Sequence, residues 1–114
     1  LNDNINTAPN HPSTPYWDFF LAVAKQAIGE HAQAIEHATT SLLGQPGWAH
    51  NYFVMANANC ELNDPLAAEQ DIEAAAKINP YLTAQFYADN VNRITGDETL
   101  SKPFIGGLRE HKFI

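Results

Sequence analysis

Three groupings in this chain combine residue types that do chemistry. Cys60 and His50 could pair as a thiolate nucleophile and its base, which requires side chains within hydrogen-bond reach and a third group to orient the base. His31 and His37 could hold a metal, and Glu69, Asp71 and Glu73 could act as general acids or bases. Each grouping has a plainer reading that fits its spacing better. A histidine pair six positions apart falls on different faces of a helix, so both are expected at the surface. The acidic run reads as a solvated helix face, and the lone cysteine as a small packing residue. No glycine-rich phosphate loop follows a strand, because no strand pattern exists. The expectation is a non-enzyme with no metal and no cofactor.

Bulk composition narrows the classes further. The chain has 114 residues, 45% of them hydrophobic, which suits one globular domain. Six basic residues against 13 acidic ones leave a net charge of −7, which argues against nucleic acid and anionic membrane as direct partners. A single cysteine excludes an intrachain disulfide. There is no apolar run of membrane-spanning length and no signal segment, which reads as cytoplasmic. The first residue is Leu1, so a fragment or a processed form of a longer protein is expected.

The elements that would position any site repeat themselves. Pro12, Pro46 and Pro80 recur every 34 residues, and other positions follow the same interval. Phe19 returns as Phe53 and then as Tyr87. Ala22, Ala24 and Ala34 return as Ala56, Ala58 and Ala68, and Ile28 as Leu62. Gly29 returns as Asn63, both types that tolerate a left-handed turn. Each period splits into two helical patterns. The first pair covers about 15–28, with Thr14 as N-cap, and about 31–43; the second covers about 49–62 and about 65–78, with Asp64 as N-cap and Pro65 at the first helical position. A fifth helix is expected over about 83–93. The stretch 95–99 reads as a loop, and a last helix spans about 101–110 with Pro103 in its first turn. The prolines stop the second helix of each pair. The alanines let paired helices approach closely.

A 34-residue helix–turn–helix period resembles the tetratricopeptide repeat, with copies at 15–46 and 49–80. Gly29, Ala34 and Pro46 match signature sites of the first copy, and Ala56, Ala68, Ile72, Ala75 and Pro80 match sites of the second. Asp18 and Tyr52 stand where tryptophan is usual, Lys25 and Asn59 where tyrosine is common, and Ser41 where alanine is usual. A narrower resemblance rests on the order "HPSTPYWDFF", "GWAHNYF", "INPYLTAQF", "GGLREHKF". It is similar to the C-terminal repeat region of bacterial class III adenylate and guanylate cyclases and of some winged-helix transcription activators. In that family a loop and a short helix ending in Gly-Leu-Arg close the array; Gly107, Leu108 and Arg109 match. The resemblance implies an all-α domain over 14–114, with 1–13 a linker or the remnant of an earlier repeat.

In such arrays the first helices line a groove. Carrying that geometry over places Tyr16, Phe19, Val23 and Gln26 on one wall, His50, Phe53, Asn57 and Cys60 on the next, and Tyr87 and Val91 on the third. The implied function is protein or peptide binding as a regulatory region of a larger signalling protein; a winged-helix activator or a freestanding adaptor would use the same groove. A foreign protein, flanking parts of the parent chain or a homodimer would each fill it. Ordinary core packing of the aromatics, and coverage of the groove by the chain's own end, stand beside that reading. A clamp for chaperone carboxylates is disfavoured, since only Asn57 has a suitable type.

Overall fold

A computed structural model describes residues 14–114, and the side chains from Tyr16 onward. It contains six α-helices and, among the described residues, no strand: α1 (Thr14–Ala27), α2 (His31–Gly44), α3 (His50–Glu61), α4 (Pro65–Ile78), α5 (Ala84–Thr95) and α6 (Glu98–Glu110). None of these helices is long and apolar enough to cross a membrane. The expectations for residues 1–13 lie outside the described residues. Thr14 itself is the first residue of α1 and not its cap.

The helices are bounded by local chemistry. The Asp64 carboxylate accepts from Ala67 N at 3.2 Å, and Pro65 follows it at the first helical position. Thr83 Oγ1 accepts from Phe86 N at 3.1 Å at the head of α5. The turns after α1 and α3 are built alike. Gly29 and Asn63 adopt φ of +82° and +67°. The next residue in each case bonds back five positions, Glu30 N to Lys25 O at 2.9 Å and Asp64 N to Asn59 O at 2.8 Å. A left-handed residue closed by that long bond satisfies carbonyls left open at a helix end. Turns this short fold α2 back on α1 and α4 back on α3 as antiparallel pairs.

Small residues carry the pair contacts. Ala22, Ala34 and Ala38 are fully buried with Val54, and Ala56, Ala68 and Ala75 lie in a second, larger cluster with Phe53, Tyr87, Ile105 and Leu108. α2 also packs on α3, whereas α5 makes little contact with α4 and leans on α6. α6 in turn packs chiefly on α3 and reaches α1. The last helix therefore lies over the first helices of the two pairs.

Two expectations need correction. Residues 95–99 do not form a loop: only Gly96 and Asp97 separate α5 from α6. The Asp97 carboxylate accepts from Thr99 N at 2.7 Å, which starts α6 early, and Thr95 Oγ1 meets Ser101 Oγ at 2.6 Å across the turn. Pro103 consequently sits inside α6 and not in its first turn.

With no exposure at Ala34 or Ala68, replacing either with leucine should overpack a helix pair and cost about 1–3 kcal/mol. Thermal or urea unfolding of each variant checks this; unchanged midpoints would refute the pair contacts.

Candidate functional site

The face of α1 and α3 expected to form a groove is half closed by α6. Asn57 makes the closure specific. Its Nδ2 donates to Pro103 O at 3.1 Å, and its Oδ1 accepts from Leu108 N at 3.1 Å. One buried amide thus holds two backbone groups of α6. Gly107 lies between them because nothing larger fits: a Cβ there would stand 2.8 Å from Asn57 O and 2.9 Å from Cys60 Cβ. Ile105 and Leu108 insert fully into the core on either side.

This closure divides the ten predicted groove residues. Gln26, Phe53, Asn57 and Cys60 are buried and offer nothing to an outside partner, and Tyr87, also buried, reaches only the lining of the cleft described below. Phe53 stacks on Tyr87 with ring centroids 5.0 Å apart, and burial raises the Tyr87 phenol pKa. Gln26 donates through Nε2 to Val54 O at 3.3 Å. These five are core, and their spacing alone could not show it: a stripe on one helix face looks the same whether a ligand or α6 covers it. Tyr16, Phe19, Val23, His50 and Val91 keep some access to solvent.

The accessible residues other than Tyr16 converge on a cleft of about 360 Å³, lined by Phe19, Val23, His50, Tyr87, Asn90, Val91, Ile94, Thr95 and Phe104. Its walls come from α1, α3, α5 and α6, and most of its lining is apolar. An aromatic chain frames one side. Trp48 contacts Tyr16 edge-on at 4.8 Å and Phe19 at 5.6 Å, and His50 bridges Trp48 and Tyr87 at 6.3 and 6.4 Å. Partial burial among these rings lowers the His50 pKa and favours its neutral form. Phe104, Ile94, Asn90 and Thr95 were outside the predicted set. Their only signal in the sequence was the apolar and polar alternation of α5 and α6.

The chemical groupings dissolve in three dimensions. His50 and Cys60 stand at opposite ends of α3, roughly 15 Å apart along its axis. Burial, with Glu61, Asp71 and Glu110 adding negative charge, pushes the Cys60 thiol up to about 11. His37 Nδ1 faces Asp18 Oδ1 at 3.4 Å between α2 and α1, so it is half-buried and not a free surface residue; His31 is half-buried as well. The acidic run also splits. Glu69 and Glu73 are exposed, but Asp71 turns toward α3 and accepts from Asn59 Nδ2 at 2.8 Å. Burial lifts its carboxyl to about 6, against the lowering effect of that hydrogen bond. Among the described residues no cluster of three or more His, Cys, Asp or Glu could hold a metal ion. No protein-family model matches this chain, and no curated protein or solved structure matches it either.

Two outcomes test this arrangement. Gly107→Ala should force α6 off α3 and destabilise the fold by about 1–3 kcal/mol, because the obstructing atom is backbone; denaturant unfolding measures it, and a neutral result would contradict the packing. Asp71 binds its proton more tightly folded than unfolded. The stability this proton provides is complete below the unfolded value of 3.8 and is lost as pH rises through about 6. Asp71→Asn should therefore gain on the order of 1 kcal/mol over the parent at pH 7, with the gap closing below about pH 4. Unfolding curves across that range check the sign.

Proposed function

We propose that this chain is a non-catalytic protein-interaction module of the tetratricopeptide type, and that its ligand seat is the apolar cleft between α1, α3, α5 and α6. The observation that carries the reading is the cleft: α1 brings Phe19 and Val23, α5 brings Val91 and Ile94, and α6 brings Phe104 to one opening, with His50 of α3 beside them. An open apolar cleft with a few polar groups in its lining suits an aromatic or aliphatic anchor from a partner segment. Its lining contains no lysine or arginine, which disfavours an anionic tail as ligand. An amphipathic helix with one apolar face meets these requirements.

The repeat type is supported by the matched turns at Gly29 and Asn63 and by the buried alanines that recur every 34 residues. The motif order ending in Gly107-Leu108-Arg109 supports a setting in the C-terminal regulatory part of a bacterial signalling protein such as an adenylate or guanylate cyclase. The close approach of Gly107 to α3 gives that ending a structural purpose.

Ile94 is 81% exposed at the rim, so Ile94→Glu should leave melting unchanged. Titrating the isotope-labelled chain with an amphipathic helical peptide bearing leucine and phenylalanine anchors should move the resonances of Val23, Val91 and Phe104. Ile94→Glu should weaken that binding by about 1–3 kcal/mol. Shifts that avoid the cleft, or binding unaffected by Ile94→Glu, would contradict the assignment.

A further inference from the structure

α1 carries a second apolar face that no other helix among the described residues covers. Trp17, Phe20 and Ala24 lie on one side, continued by Ile28 in the turn that follows, and Trp17, Phe20 and Ile28 are 62%, 61% and 70% exposed. The charged residues of the helix, Asp18 and Lys25, lie off this face, and Asp18 meets His37 of α2. The 34-residue interval shows what such a face does elsewhere in the molecule. The positions equivalent to Trp17, Phe20 and Ala24 are Asn51, Val54 and Ala58 on α3, all buried, whereas Leu62, the equivalent of Ile28, is 48% exposed; Asn51 Nδ2 donates to Ser41 Oγ of α2 at 2.9 Å. On α3 this face is a helix-packing surface that α2 helps to cover. On α1 the same face is more apolar and is open.

We propose that this face pairs with the same face of a second copy of the chain, α1 against α1 about a two-fold axis. The residues before α1 are a poor cover, because LNDNINTAPNHPS offers only Leu1, Ile5 and Ala8 as apolar residues besides its prolines. A two-fold pairing covers both faces in one contact. Ala24 allows close approach, with Trp17 and Phe20 as anchors. The exposed side chains amount to roughly 500 Å² per chain, so a symmetric pair buries about 1,000 Å², the lower limit for a specific interface. The net charge of −7 per chain opposes association at low salt, but no charge of that face enters the contact, so the pairing strengthens as salt screens the remainder.

Sedimentation equilibrium of the whole chain tests this from about 1 µM to about 500 µM, a range that brackets a micromolar dissociation constant. The expected result is a reversible monomer–dimer equilibrium that strengthens with salt. Phe20→Glu and, separately, Trp17→Glu should weaken it about tenfold or more while keeping the helical circular dichroism of the parent. Leu43→Glu, at a still more exposed site on α2, should leave it unchanged. A parent chain that stays monomeric throughout, or a dimer indifferent to both α1 substitutions or equally lost in Leu43→Glu, would overturn the proposal. Peptide binding at the cleft is scored separately through Ile94→Glu, so either assignment can fail alone.

Discussion

The arrangement of the six helices depends on one buried amide. Asn57 lies in the middle of α3 with no exposure, and its side chain meets α6 through both ends, giving a hydrogen to Pro103 O and taking one from Leu108 N. Each such bond contributes about 1 kcal/mol net, but breaking either leaves one end of the buried Asn57 amide unpaired at a cost of about 1–3 kcal/mol. The amide therefore sets register as well as adding stability. A shift of α6 by one residue along α3 would lose both bonds and would move the space reserved at Gly107 away from the Asn57 carbonyl.

That register determines what the molecule can offer to others. With α6 seated, Phe53, Cys60 and Tyr87 become interior, and Phe104 joins Phe19 and Val23 in lining the remaining cleft. The cleft is thus a product of the closure and not a leftover of an open groove. Its aromatic frame runs unbroken from Tyr16 through Trp48 and His50 to Tyr87 and Phe53, linking α1, the connection after α2, α3 and α5. Rings in such contact order one another, so the cleft is formed before any ligand arrives.

Much of the helix plan was legible in the sequence because it rests on local rules. Asp64-Pro65 begins α4 where capping chemistry places it, and Gly29 and Asn63 take the left-handed conformation their types allow. Local rules failed where two signals competed. Pro103 suggested a late start for α6, but Asp97 caps the helix earlier, and a proline inside a helix is tolerated when its neighbours are otherwise bonded. The site was legible only in outline. The stripe from Phe19 to Val91 did mark the right face, yet periodicity is blind to what lies across from it. Asn57 read as a groove amide and is a core clasp. Asp71 read as solvated because its neighbours Glu69 and Glu73 are, and only the fold brings Asn59 against it.

The central claim, that α6 is an integral part of the domain held on α3 by Asn57, is tested most directly by native-state hydrogen exchange at the Leu108 amide. The account predicts exchange as slow as at the buried amides of α3, such as Ala56 and Asn57, with the same denaturant dependence, since α6 would open only when the whole domain unfolds. Exchange at Leu108 much faster than in α3, through an opening insensitive to denaturant, would show α6 detaching by itself and would contradict the claim.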